Sequence, residues 1–216
     1  NLKSSKNFKF KIVPGPINNQ STLKRLLSKV DACILGSEKI NIDQETIKNI
    51  KKLKIIVRFG TSSSNIVVDK KLKNKIKIKS LDKNISSKAV ARHTLSLFLS
   101  ITNHLQKHQL NNKKNIWKRY SNLTPEKTKV GLFGMGRIGK IFAKYLSFLG
   151  YEVGYYSRSK KNFNKKYKYF KSLQKLINYS QIISIHVPLN ENTRNLFDKK
   201  TLNLLKNKYV INTSRA

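Results

Sequence analysis

Residues 130–140, Val-Gly-Leu-Phe-Gly-Met-Gly-Arg-Ile-Gly-Lys, constrain the fold more than any other stretch of the chain. They set Gly134, Gly136 and Gly139 between an apolar run and an amphipathic one. Lys129–Phe133 reads as a buried strand, and Ile141, Phe142, Tyr145, Leu146 and Leu149 recur at helical spacing until Gly150 closes the helix. Glycines in that strand-to-helix context form a dinucleotide-binding turn. Gly134 permits the tight turn, Gly136 lets a pyrophosphate approach the backbone, and Gly139 allows close helix–sheet packing. The N–H groups of Arg137 and Ile138, which open the helix, face the phosphates.

The chain has 216 residues and is 38% hydrophobic, which suffices for one large core or two small ones. Its formal charge of +36 would by itself point to nucleic acid or an anionic membrane. The lysines, however, run along the whole length among many Asn and Ile residues, as coding bias toward A and T would leave them. There is no arginine-rich arm, zinc spacing or aromatic–basic interleaving, so neither a specific nucleic-acid partner, a membrane nor a bound metal is expected. The charge should instead concentrate small anions. Cys33 is the only cysteine and lies in the apolar run Ala32–Leu35, where it fills core space. The lack of a disulfide framework and of an apolar span fits a cytoplasmic protein, and a first residue other than Met leads us to expect a fragment or a processed form.

Apolar runs and helical patterns alternate throughout. In the first half, strands are expected at Phe8–Val13, Ala32–Leu35, Lys54–Arg58 and Ile76–Ile78. Helices are expected from a Ser21 cap through Val30 and from an Asp43 cap past Ile47, Ile50 and Leu53. A single long helix from Ser87 to about Leu110 carries Val90, Leu95, Phe98, Leu99 and Leu105 as its apolar face. The polar stretch Asn111–Thr128 follows, with Trp117 as its one large anchor. Beyond the glycine turn come strands at Glu152–Tyr156, Gln181–His186 and Tyr209–Asn212, with helices near Leu173–Ile177 and after an Asp198 cap. Lys160–Lys171 reads as a solvated loop. The fold class is α/β, with two Rossmann-like or flavodoxin-like domains built on mostly parallel sheets, the second one incomplete.

Four segments in order resemble the D-2-hydroxyacid dehydrogenase family, nearest its phosphoglycerate dehydrogenase branch. They are Leu53–Gly60 with its following loop, Ala89–Leu95 on the long helix, the Gly134 turn, and His186-Val-Pro-Leu189 with Ile211-Asn-Thr-Ser-Arg215. The resemblance implies a substrate domain at 1–98, an NAD(P)-binding domain at 99–216 lacking its C-terminal part, and an active site between them. It maps Arg215 onto the arginine that grips the substrate carboxylate and carbonyl, a task suited to a permanently charged bidentate fork. Gly60, Thr61 and Ser62 match the loop whose N–H groups hold the carboxylate, while Val187, Pro188, Thr193, Thr213 and Ser214 match positions lining the cofactor. His186 matches a structural residue at a strand end. A small anionic 2-oxo or 2-hydroxy acid as substrate and a homodimer are also implied.

Departures from the family pattern matter as well. Ser62 and Ser64 stand where the family usually has Gly and Asp, Arg92 replaces a Glu, and Ala216 replaces a Gly. The family's catalytic Glu and His lie downstream of the arginine. A catalytically inactive fragment and a non-enzymatic, cofactor-sensing or corepressor-like relative therefore stay open beside the enzyme. For the cofactor, the strand Glu152–Tyr156 should end on an acidic residue if ribose hydroxyls are to be bound; it ends instead on Ser157 and Arg158. A carboxylate would repel a 2′-phosphate whereas Ser and Arg bind one, so NADP(H) is expected over NAD(H).

Overall fold

The computed structural model describes residues 9–14, 17, 19–36, 40–48, 50–60, 65–69, 74–163 and 166–214. Thr61, Ser62, Ser64, Arg215 and Ala216 lie outside the described residues. The chain divides into two compact units, residues 1–86 and 87–216.

In the first unit, helix α1 (Gln20–Leu27) buries Leu23 and Leu27, one helical turn apart, against a parallel sheet. That sheet comprises β1 (Ala32–Leu35), β2 (Ile55–Arg58) and β3 (Lys77–Ser80), in that order. The α1 cap is Asn19 rather than Ser21: the Asn19 side chain accepts from the N–H groups of Ser21 and Thr22. The helix ends at Leu27, short of Val30. Asp43 does cap α2 (Gln44–Ile47), which is one turn long; Ile50 and Leu53 reach the core from the chain beyond it. Half-buried Cys33 packs against that core, and burial pushes its thiol pKa up. Residues 9–13 form no strand, and Phe10, Ile12 and Val13 are exposed. Their β-propensity finds no neighbouring ladder among the described residues, and without one it carries little weight.

Helix α3 (Lys83–Thr102) opens the second unit's core, but the single helix expected there is two. His104 takes a left-handed conformation, with φ 51°, before α4 (Leu105–Lys113). The hydroxyl of Thr102 and the amide of Asn103 bond back to the carbonyls of Phe98 and Leu99, closing α3 with its own polar side chains. The buried face of α3 is Ser87, Ala91, Thr94, Phe98 and Thr102, with Phe98 edge-on to Phe142 and Tyr151; Leu105 is exposed. Phe98, the residue at which the first domain was expected to end, is buried in this second core. Trp117 is 88% exposed and is no anchor among the described residues; Leu123 holds that stretch, its N–H bonded to the Thr102 carbonyl and its carbonyl to the Tyr151 hydroxyl.

A five-stranded parallel sheet follows, made of β4 (Lys129–Phe133), β5 (Glu152–Tyr156), β6 (Lys168–Phe170), β7 (Ile182–Ile185) and β8 (Tyr209–Asn212). Its spatial order is β6-β5-β4-β7-β8. Counted within the unit this is 3-2-1-4-5, the order of a dinucleotide-binding sheet. Helices α5 (Arg137–Phe148), α6 (Leu173–Tyr179) and α7 (Lys199–Leu204) connect the strands. Both faces of the sheet are covered. Val130 and Leu132 point into a core with Phe98, Phe142, Leu146 and Tyr155, whereas Phe133, Ile183 and Ile185 point into another with Leu173, Leu176 and Ile177. Gly131 lies on the second face, where a Cβ would collide with the Ser180 hydroxyl. The expected loop 160–171 is partly structured, because β6 falls inside it and Phe163 and Tyr167 pack edge-on, 5.2 Å apart, over Tyr155.

Candidate functional site

The sheet of the second unit reverses its order between β4 and β7, and the segments leaving those two strands form the crevice where open α/β sheets take ligands. Gly134 leaves β4 with φ +104°, its N–H bonded to the Tyr156 carbonyl at 2.9 Å. Any side chain there would be doubly excluded: the backbone is left-handed, and a Cβ would lie 2.7 Å from the His186 carbonyl oxygen and 2.8 Å from Val187. A Cβ on Gly139 would strike the Gly134 carbonyl oxygen, so α5 can approach the turn only through a glycine. Gly136 is the opposite case. It is exposed, and a Cβ would meet nothing within 4 Å.

Gly136 is also the N-cap of the twelve-residue α5. It has no side chain to cap the helix, and the first intrahelical bond runs from Lys140 N–H to the Gly136 carbonyl. The N–H groups of Arg137 and Ile138 therefore open onto clear space at the positive end of the helix dipole, with no acidic residue in the first turn. A pyrophosphate fits this cradle in both shape and charge. At its far end α5 closes with Gly150 at φ +85°: Gly150 N–H bonds Ser147 and Tyr151 N–H bonds Leu146, the paired bonds of a Schellman motif. The helix axis that aims the cradle is thus fixed at both ends.

The edge beside the turn is formed by residues 157–161. The Ser157 hydroxyl donates to the Ser159 carbonyl at 2.7 Å, Lys161 Nζ donates to Ser159 Oγ at 2.9 Å, and the buried Tyr155 hydroxyl exchanges bonds with Lys161 N–H and carbonyl. The segment is stitched to the core through Tyr155, a role the sequence pattern did not flag. Arg158 is exposed there, and no carboxylate occupies residues 157–161.

Across the crevice, His186 N–H bonds the Phe133 carbonyl at 2.7 Å. The His186 ring packs edge-on against Phe142, and its Nε2 lies 3.0 Å from the Ser184 hydroxyl, while Nδ1 is buried without a partner. Burial pulls its pKa down to about 4, so the imidazole is neutral and serves as packing under the turn rather than as a proton donor. Val187 packs against Gly134. The Thr193 hydroxyl accepts from Asn190 N–H and donates to the Pro188 carbonyl, closing the loop that carries both residues. At the end of β8, Asn212 Oδ1 accepts from the N–H and hydroxyl of Ser214, and the Thr213 hydroxyl lies 2.9 Å from that of Thr94 on α3. Thr94 was not legible as a site neighbour, since a threonine inside a helix carries no periodic signal. In the first unit, Gly60 ends the described part of the segment after β2, its N–H bonded to the Arg58 carbonyl.

The chain is similar to known proteins over most of its length. The glyoxylate reductase of Thermococcus litoralis is 28% identical over 213 residues, covering 91% of this chain and 62% of that protein. Among solved structures, a D-lactate dehydrogenase from Aquifex aeolicus, complexed with NAD and lactic acid, aligns with a TM-score of 0.71 at 25% identity, covering 89% of this chain and 59% of that one. An acyclic imino acid reductase in complex with NADPH and D-Arg aligns with a TM-score of 0.71 at 27% identity, covering 91% and 64%. The chain thus spans just over six-tenths of the length of the glyoxylate reductase it matches. No helix among the described residues is long and apolar enough to cross a membrane. Residues 95–216, more than half of the chain, match the model of the D-isomer specific 2-hydroxyacid dehydrogenase NAD-binding domain, and with that match the chain belongs to the D-2-hydroxyacid dehydrogenase family.

Proposed function

We propose that the chain is the cofactor-binding and part of the acid-binding machinery of an oxidoreductase that moves hydride between a nicotinamide and the α-carbon of a small 2-oxo or 2-hydroxy acid. The observation that carries this is the open side of Gly136 at the head of α5, in a turn where Gly134 and Gly139 are both packed tight. A glycine, exposure and helix N–H groups without a side-chain cap are together what a position serving a phosphate requires. The nicotinamide, when bound, supplies or takes up the hydride. The first compact unit, residues 1–86, serves as the substrate domain and the second, 87–216, as the nucleotide domain. Arg215 holds the acid by its carboxylate, a bidentate contact that also orients the carbonyl. Thr61 and Ser62 offer backbone N–H groups to the same carboxylate; the Gly60 N–H, expected to join them, is taken by the Arg58 carbonyl. Val187, Pro188, Thr193, Thr213 and Ser214 line the nucleotide.

NADP(H) is the preferred cofactor in this reading. The absence of a carboxylate at 157–161, the exposed Arg158 and the Lys161 ammonium favour a 2′-phosphate over bare ribose hydroxyls. The Ser157 proton is already engaged with Ser159, so the phosphate would rely on the two cations more than on the serine. Glyoxylate and hydroxypyruvate suit the similarity to glyoxylate reductase, and 3-phosphoglycerate suits the positive charge. The working form is a cytoplasmic homodimer.

Titration of the protein with NADPH and NADH at low and high salt, followed by nicotinamide fluorescence, tests the reading. Saturable one-to-one binding that survives salt, favours NADPH and loses that preference in Ser157→Asp is expected. Binding that vanishes in salt or is matched by any polyanion would refute it, because charge alone would then account for the affinity.

A further inference from the structure

The last two residues of β5 hold two neighbouring parts of the crevice at once. Tyr156 accepts the Gly134 N–H on its carbonyl at 2.9 Å, which fixes the start of the glycine cradle. Tyr155, 1% exposed, packs on the opposite face of the sheet, and its hydroxyl leaves that core to meet a residue further along the chain. It accepts from Lys161 N–H at 2.9 Å and donates to the Lys161 carbonyl at 3.2 Å. Bonds to both polar groups of one residue set its orientation as well as its place. Within the arc so closed, the Ser157 hydroxyl donates to the Ser159 carbonyl at 2.7 Å, and Lys161 Nζ donates to Ser159 Oγ at 2.9 Å. The Lys161 ammonium is thus held from its backbone and at its tip. Phe163 packs edge-on against the Tyr155 ring, 5.7 Å away, and lies 5.8 Å from Lys140 Nζ of α5, which ties this edge back to the helix that opens on the cradle.

A phenylalanine would fill the same core space without the cost of burying a hydroxyl. What the hydroxyl adds lies outside the core: it fixes residues 157–161, which carry Arg158, Lys160 and Lys161 and no carboxylate. The pyrophosphate and the ribose 2′-phosphate of a cofactor are joined covalently, so cations that serve the second must stand at a set distance from the cradle that takes the first. Cations placed there in advance lose less freedom on binding. We propose that Tyr155 is the positioning residue for the 2′-phosphate: its hydroxyl holds residues 157–161 in place relative to the glycine cradle, and the preference for NADPH over NADH depends on it. This rests on the reading of NADP(H) as the preferred cofactor.

The experiment measures Kd for NADPH, NADH, adenosine 2′,5′-bisphosphate and 5′-AMP at one ionic strength, in the full chain as wild type and as Tyr155→Phe, which loses only the hydroxyl. The expected result in the variant is a Kd raised at least ~10-fold for the two ligands with a 2′-phosphate and within about twofold of wild type for the two without. A hydroxyl that serves the fold alone would weaken all four equally or none, and either outcome overturns this inference alone. A wild type that binds both cofactors without preferring NADPH overturns the NADP(H) reading and this inference with it. Should Tyr155→Phe fail to fold, amide exchange in the wild type decides. Lys161 N–H protected at least ~10-fold in the free protein, and further by adenosine 2′,5′-bisphosphate but not by 5′-AMP, supports the inference. Exchange at the rate of an open chain, or an equal response to the two ligands, overturns it.

Discussion

The glycine turn after β4 and the carboxyl end of β2 are built by opposite means. The Gly134 turn of the second unit is shaped by what is missing: three absent side chains permit a left-handed backbone, a close helix and an open cradle. The end of β2 in the first unit is shaped by what is present: buried Arg58 donates to the Leu35 and Phe59 carbonyls and to Asn65 Oδ1, and Asn65 Nδ2 donates to the Ile40 carbonyl. The first kind needs no partner, but at Gly134 and Gly139 it leaves no room for a side chain. The second depends on several residues distant in sequence, so its cost of failure is spread over hydrogen bonds that can be removed one at a time.

The strongest attempt to break the comparison substitutes the glycines themselves. Gly139→Ala forces a Cβ onto the Gly134 carbonyl, and α5 must move away from the sheet; a loss of roughly 3 kcal/mol or more in stability is expected, with cofactor affinity lost alongside it. Gly136→Ala faces open space, so its melting transition should stay within about 0.5 kcal/mol of wild type while nucleotide binding weakens by at least ~10-fold. Denaturant melts paired with nucleotide titrations separate the two. Equal losses of stability in both variants would mean that Gly136 serves the fold rather than a ligand.

Acid sharpens the same contrast at intermediate cost. His186 packs beneath the glycine turn with its pKa lowered from 6.5 to about 4 by burial. Between those values the unfolded chain binds a proton that the folded chain excludes, so stability is full above the ordinary value and falls as pH drops toward 4. The loss reaches up to about 3 kcal/mol. Asp198 and Glu126, whose pKa values hydrogen bonds hold below the usual carboxylate range, add to the loss at lower pH still. Replacing His186 with Phe should flatten the slope of stability against pH between 6.5 and 4; an unchanged slope would assign the acid sensitivity elsewhere.

How much was legible in the sequence follows the same division. The glycine turn, β4, β5, β8 and the caps Asp43 and Asp198 were readable because each depends on residue type at fixed local spacing. The break in the long helix was not, since it results from Thr102 and Asn103 bonding back to their own helix and His104 turning left-handed. Trp117 read as an anchor because aromatic size predicts burial on average, yet it is 88% exposed. Thr94, Arg58 and Asn65 were silent for a shared reason: their partners Thr213, Leu35 and Ile40 are defined only once the chain has folded.

The smallest expected effect tests whether side-chain construction in the first unit extends beyond its loop. Ser21 has the residue type and place of a helix cap, but Asn19 Oδ1 takes the N–H groups of Ser21 and Thr22 and the Ser21 hydroxyl as well. Asn19→Ala strips three donors of their acceptor and should cost about 1 kcal/mol. Ser21→Ala removes one exposed hydroxyl and should cost no more than about 0.5 kcal/mol. The ratio of the two melts is informative because both residues are exposed and only the cap bond differs. A larger loss from Ser21→Ala would return the cap to the residue that sequence pattern favours. A larger loss from Asn19→Ala would show that in this unit an asparagine side chain, through its amide oxygen at position 19 and its Nδ2 at position 65, holds backbone that glycine shapes in the other.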